Sequence, residues 1–308
     1  MDEVEEFIEH RPHVFGIAYR MLGSTADADD IVQEAYLRWA QRTDREVGSA
    51  RSYLSTVVVR LCLDHLSSAR VRRESYVGQW LPEPVVVIDP DNDVERAAES
   101  ADSLSMAFLL LLEELGPAER AAFLLHEVFE YNYTEIAEML GRSDVACRQL
   151  VSRGRRRIRT GRQRFDADRA AGQELARRFF AACVTGDIPA LIDMLAPDVV
   201  MWTDGGGKVK SALHPTVGAA KSAMFLAAIA QGVPTTAHVT VALVNGQPGF
   251  MVVDGDVVIT AVELGIVAGQ VTGVRAVVNP DKLFRLKVVS PQGPALVPEP
   301  GTGWGESR

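Results

Sequence analysis

With 308 residues, 47% of them apolar and 24% charged, the chain has the composition of an ordinary globular protein and the length for two or three compact domains. A net charge of -9 excludes a surface that is basic throughout, as a protein coating a polyanion would need, but leaves room for a local basic patch. Three widely separated cysteines, Cys62, Cys147 and Cys183, with no Cys-x-x-Cys pair and no histidine at zinc-ligand spacing, exclude a disulfide framework, predict no metal and point to a reducing cytoplasmic compartment. The acidic start, Met1 to His10, lacks the basic and apolar regions of a signal peptide, and the apolar window Ser103 to Leu112 is too short to span a bilayer, so no membrane partner is expected.

Residues 1–76 read as an all-helical domain. Apolar residues recur at helical spacing at Val14, Ile17, Ala18 and Met21, then at Ile31, Ala35, Leu37 and Trp39, then at Leu54, Val57, Val58, Leu61 and Leu66. Gly23 ends one helix and Ser24-Thr25 opens the next, with Asp27, Asp29 and Asp30 near its positive end. Residues 77–102, with Pro82, Pro84 and Pro90 and the acids Asp89, Asp91, Asp93 and Glu95, form a linker.

A second helical block, 103–164, contains a helix-turn-helix over Tyr133 to Arg159. Thr134 is expected to cap its first helix, Ile136, Ala137 and Leu140 to face inward, Gly141 to make the turn and Ser143 to cap the second helix. Cys147, Val151, Gly154 and Ile158 share one face of that second helix. The opposite face carries Arg148, Gln149, Ser152, Arg153 and Arg156, residue types that bond to base edges and phosphates in a major groove.

Residues 168–288 begin with helices to about Val184 and near Ile188 to Leu195. Strand-like runs follow at Ala237 to Val244, Gly249 to Val253, Val257 to Leu264 and Val271 to Val278, which predicts an α+β domain with antiparallel strands. Residues 289–308, rich in Pro and Gly, read as a flexible tail.

The run Asp27 to Trp39 resembles the core-polymerase-binding segment of sigma domain two, and Tyr133 to Arg159 resembles the -35-reading segment of sigma domain four. In this order they identify the chain as similar to the extracytoplasmic-function sigma factors. The resemblance implies as partners the β′ clamp helices of RNA polymerase core, bound through Asp30, Gln33, Glu34 and Leu37, and promoter DNA. Arg148, Gln149, Ser152, Arg153 and Arg156 would read the -35 element. Ala50 to Arg73 resembles the -10-melting segment, which implies roles for Tyr53, Arg60, Arg70, Arg72 and Arg73. Arg60 stands where many members carry an Asn that helps hold a flipped base.

Trp80-Leu81-Pro82-Glu83-Pro84, Asp204-Gly205-Gly206-Gly207-Lys208 and Asn279-Pro280-Asp281-Lys282-Leu283 resemble the signatures of the SigJ-like subgroup, whose C-terminal domain is SnoaL-like. The implied architecture is multidomain: two all-α sigma domains, the second with the helix-turn-helix, followed by an α+β cone-shaped SnoaL-like domain. Trp80, Asp204, Lys208, Asp281 and Lys282 are the expected regulatory interdomain residues, with Asp204 or Lys208 able to pair with Lys282 or Asp281. No catalytic set, cofactor or metal is expected, and the chain reads as a non-enzyme. The rival reading is a bifunctional protein in which Asp204 is a base acting on a small apolar ligand, and a third is a ligand sensor without turnover. A separate anti-sigma factor stays an open alternative.

Overall fold

The structure, a computed structural model, describes residues 3–42, 49–74, 76–87, 102–159 and 168–286, the side chains of 68–74 and 169 excepted. The expected tail, 289–308, and most of the acidic linker lie outside the described residues. The chain forms two compact units, one of Met1–Val85 with Glu95–Phe165, the other of Val86–Val94 with Asp166–Arg308.

The first unit is helical: α1 (Glu3–Leu22), α2 (Thr25–Ala40), α3 (Ala50–Glu74), α4 (Met106–Glu113), α5 (Pro117–Glu127), α6 (Tyr133–Leu140) and α7 (Asp144–Arg159). Val14, Ile17, Ala18 and Met21 of α1 are buried, as their spacing requires. Gly23 closes α1 at φ 68°, where a side chain would be strained and would also meet the Trp80 ring. Ser24 then caps α2 by accepting from the Asp27 amide at 3.0 Å.

Two local expectations change. The cap of α6 is Asn132 rather than Thr134: Asn132 and Glu135 form a reciprocal capping box, and Thr134, inside the first turn, donates instead to Asp144. Met139 is buried where Leu140 was expected, and Leu140 is only half-buried. Gly141 makes the turn in the left-handed region at φ 62°.

The two helical halves share one core and are joined by buried polar side chains. The Arg120 guanidinium, 3% exposed, donates to the Met21 carbonyl at 2.6 Å and to Glu113 at 2.7 Å. Arg20 reaches Ser103 Oγ at 3.0 Å and the Gly16 carbonyl at 3.2 Å. Burial lowers both guanidinium pKa values to about 10. Tyr131 brings its hydroxyl to Ser55 Oγ at 2.8 Å and to His13 Nε2 at 3.0 Å.

His13 is pushed down from 6.5 to about 4, by burial first and then by the charges of Arg51, His10 and Arg20. The unfolded chain takes up this proton near pH 6.5 and the folded chain resists to about 4, so the stability His13 contributes is whole above 6.5 and is lost as pH falls towards 4. Lowering the pH from about 7 to about 5 should cost about 1–2 kcal/mol, allowing for the half-exposed ring. His13→Gln, which keeps an acceptor and removes the titration, should flatten that slope in urea unfolding; an unchanged slope would refute the assignment.

The second unit contains β1 (Val86–Val87), α8 (Arg169–Thr185), α9 (Ile188–Met194), β2 (Leu195–Asp204), β3 (Thr216–Val217), α10 (Ala219–Ala230), β4 (His238–Val244), β5 (Gln247–Asp254), β6 (Val257–Val267), β7 (Gln270–Val277) and the single turn α11 (Pro280–Leu283). The sheet runs β1-β4-β5-β6-β7-β2-β3. The expectation of antiparallel strands holds from β4 to β7, but β2 pairs parallel with β7. Pro197 and Asp198, both exposed, break the alternation of β2, and its register shifts between Leu195 and Val200, which hides it from a period-2 reading. Helices α8, α9 and α10 share a core with one face of the sheet around Phe179, Leu191, Val199, Leu264 and Val274, the α+β architecture expected of a SnoaL-like domain.

Candidate functional site

Helix α7 buries Cys147, Leu150, Val151, Gly154 and Ile158. The fit is close at Gly154, where a Cβ would sit 3.1 Å from the Phe123 ring of α5. That packing turns Arg148, Gln149, Ser152, Arg153 and Arg156 outward, and all five are exposed. The guanidiniums are held to different degrees. Arg148 stacks 4.5 Å above the Tyr133 ring, and Arg153 and Arg157, one turn apart, reach the buried Glu119 at 3.8 and 3.2 Å. Arg155 pairs with Glu127 at 2.6 Å. Arg156 makes no ion pair among the described residues.

Helix α2 buries Ala28, Ile31, Val32, Ala35 and Trp39 and so exposes Asp30, Gln33, Glu34 and Leu37 together. Leu37 is 51% exposed, so of the apolar positions read along this helix it is the one that faces solvent. Glu34 pairs with Arg38 at 3.0 Å, which orients its carboxylate without burying it.

On α3, Tyr53 is half-buried with its ring 5.7 Å from that of Trp39. Arg60 reaches α6, donating to the carbonyls of Met139 at 3.1 Å and Glu138 at 3.2 Å, where it satisfies acceptors at the C-terminal end of the first recognition-motif helix. The side chains of Arg70, Arg72 and Arg73 lie outside the described residues.

Glu83 of the linker is an interaction the sequence did not disclose. Its carboxylate accepts from Ser24 Oγ at 3.0 Å, from the Thr25 amide at 2.8 Å and hydroxyl at 2.6 Å, and from the Ala26 amide at 3.1 Å. A carboxylate at this helix start is stabilised by unpaired amides and by the helix dipole. The Glu83 amide donates to the Gly23 carbonyl, the Tyr19 hydroxyl donates back to the Glu83 carbonyl, and Trp80 covers Gly23. The linker is thus fastened to the start of the helix that carries the acidic face. Three residues later Val86 and Val87 pair with β4 of the second unit.

In the second unit the two signature loops interlock. Asp204, fully buried at the end of β2, accepts from Lys282 Nζ at 2.7 Å and from the Gly206 amide at 3.1 Å. Lys208 pairs with Asp281 at the surface, and Asn279 caps the Asp281 amide. Gly206 at φ 58° lies so close to Asn279 that a Cβ there would overlap its side-chain amide. Glu263 is also fully buried and pairs with Arg275 at 3.1 Å, while burial lowers the Arg275 pKa.

A cavity of about 580 Å³ opens within this unit, walled by Phe180, Phe225, Phe250, Val252, Val262 and Val274 among others. Asp204 and Glu263 are not among its walls. Cys183 is, with its thiol pushed up to about 12 by burial and so protonated. His214 and His238 do not line it either. Among the described residues no group of three or more side chains could hold a metal, and no helix is long and apolar enough to cross a membrane.

Residues 7–72 match the family Sigma-70 region 2, and residues 105–158 match Sigma-70, region 4. The chain is 40% identical over 250 residues, 80% of each chain, to the ECF RNA polymerase sigma factor SigJ of Mycobacterium tuberculosis. It is 34% identical over 286 residues, 90% of this chain and 93% of the other, to the probable ECF RNA polymerase sigma factor SigI of the same species. The crystal structure of Mycobacterium tuberculosis SigJ superposes with a TM-score of 0.72 at 35% identity, covering 91% of this chain and 97% of that one.

Proposed function

The chain belongs to the extracytoplasmic-function sigma factors, which with RNA polymerase core direct promoter-specific transcription initiation, and from that premise we propose how its surfaces divide the work. Asp30, Gln33, Glu34 and Leu37 engage the basic β′ clamp helices of the core enzyme in the cytoplasm. Arg148, Gln149, Ser152, Arg153 and Arg156 enter the major groove at the -35 element. The observation that carries this division is that two separate helix faces, one acidic with an apolar anchor and one basic, are each left exposed by the packing of a shared core. Tyr53 supports the -10 segment by packing on Trp39, and Arg70, Arg72 and Arg73 supply phosphate contacts there.

The packed helical unit is the resting form. Positions -35 and -10 lie about 25 base pairs apart, about 85 Å of B-DNA at about 3.4 Å per pair. At about 1.5 Å per residue α3 and α7 are about 37 and 24 Å long, so even end to end they fall short. Promoter reading therefore requires the halves to separate, and the bonds of Arg60 to α6, of Arg120 to Met21 and of Tyr131 to Ser55 are what must open. The fused domain regulates this step through the linker, in which Glu83 and Trp80 hold one end and β1 the other. It does so without turnover: Asp204 is neutralised by Lys282, and a base needs an accessible carboxylate together with a partner acid or oxyanion donor. A separate anti-sigma factor is not required by this scheme.

The test is footprinting of the core-bound protein. Arg156→Ala should weaken protection at the -35 element by about 1–3 kcal/mol, about tenfold or more, and leave core association unchanged. Unchanged protection would remove Arg156 from the reading face, and unchanged protection on substituting Arg148 as well would remove α7 as the reader.

A further inference from the structure

The cavity of the second unit combines three properties that select a ligand. Its volume, about 580 Å³, falls within the range of about 300–1,000 Å³ typical of small-molecule sites. Its walls are aromatic and aliphatic side chains from α8, α10 and β5 to β7. Its polar groups are few: the hydroxyls of Thr203, Ser211 and Thr260, the protonated Cys183 thiol, and one ammonium, that of Lys210. Thr203 Oγ1 is already engaged by the Ala212 amide at 3.0 Å, so the groups left for a ligand are Lys210, Ser211 and Thr260.

Among the described residues no carboxylate lines this space. Asp204 and Glu263 belong to the same sheet, but Lys282 and Arg275 pair with them and neither carboxylate reaches the cavity. Lys210 is exposed and makes no ion pair among the described residues. A largely apolar wall that, among the described residues, holds one cation and no anion disfavours cations and dipolar ions, which would be desolvated without a partner. It favours an apolar body carrying one negative charge, whose head remains partly hydrated beside the ammonium.

We infer that the C-terminal domain is a binding site for an apolar monocarboxylate, its hydrocarbon body in the cavity and its carboxylate at Lys210 and Ser211. Binding needs no covalent step and no group to accept a proton. It is independent of the promoter-reading assignment, since every residue involved belongs to the second unit.

Dodecanoate, dodecanol and dodecyltrimethylammonium, each titrated below its aggregation concentration into the full-length protein by isothermal calorimetry, test this. Saturable one-to-one binding in the order carboxylate, alcohol, ammonium is expected. Lys210→Gln, an exposed substitution that leaves the core intact, should weaken dodecanoate by about twofold to fivefold, the range of one partly exposed ion pair, and leave dodecanol unchanged. Ala276→Phe, which fills the cavity, should abolish binding of both; a far-UV spectrum and melting profile establish that this variant is folded, and if it is not, the Lys210→Gln comparison decides alone. Absence of saturable dodecanoate binding by the full-length protein would overturn the inference, as would binding indifferent to head group and to Lys210→Gln. Binding that appears only after removal of residues 287–308 would overturn it in favour of the chain's own tail as the occupant.

Discussion

Lys282→Met is expected to destabilise the second unit by about 3–5 kcal/mol, because it leaves the fully buried Asp204 carboxylate without its counter-charge. At about 2–4 °C per kcal/mol for a unit of this size, the calorimetric midpoint should fall by about 10 °C. The double variant Asp204→Asn with Lys282→Met should recover most of the loss. A neutral amide keeps an oxygen for the Gly206 amide, and the methionine is apolar and of similar length. A single variant that melts like the parent would mean that the pair is not buried in solution, and would return Asp204 to consideration as an accessible base. The surface pair Lys208–Asp281 is the internal control: Lys208→Ala should cost no more than about 1 kcal/mol.

The second large effect is expected at Arg120. Arg120→Ala removes donors to the Met21 carbonyl and to Glu113 at a site that is almost fully buried, and leaves a cavity where the arginine stem packs. Loss of a buried charge pair and of packing predicts about 3–5 kcal/mol in the helical unit. The effect has a second readout, because Arg120 ties α5 to the end of α1 and thus one sigma domain to the other. Paired fluorescent labels on α2 and α7 should show a larger mean separation in the variant than in the parent. A destabilised variant with unchanged separation would show that Arg120 supports α5 locally and is not part of the closure.

What the sequence disclosed follows the range of the interactions concerned. Helix faces depend on residues three and four apart, so the buried stripe of α7 and its exposed basic face were legible, as was the exposed set on α2. The pairing of the two C-terminal signatures was anticipated as a charge match, although only the fold shows that Asp204 meets Lys282 and Lys208 meets Asp281. Strand β2 was missed because Pro197 and Asp198 break its alternation and because its parallel partner β7 comes far later in the chain. Helix α10, Ala-rich and apolar around much of its circumference, carries no strong stripe to announce it.

Glu83 was missed for a similar reason. A carboxylate that caps a helix from within its own first turn leaves a local signature, whereas Glu83 lies 58 residues beyond Thr25, whose amide it accepts from. Arg60 shows the same limit from the other side. Its place in α3 and its charge suggested DNA, and in the folded chain it bonds to the carbonyls of Glu138 and Met139, a partner that only the joining of the two helical halves supplies.

Run-off transcription with purified core RNA polymerase measures whether this chain initiates at promoters through α7. A promoter-dependent transcript is expected with the full-length protein, lost on substituting Arg148 and Arg156 together by alanine while the protein still associates with core. No promoter-dependent transcript from either the full-length protein or a form lacking residues 287–308 would contradict it.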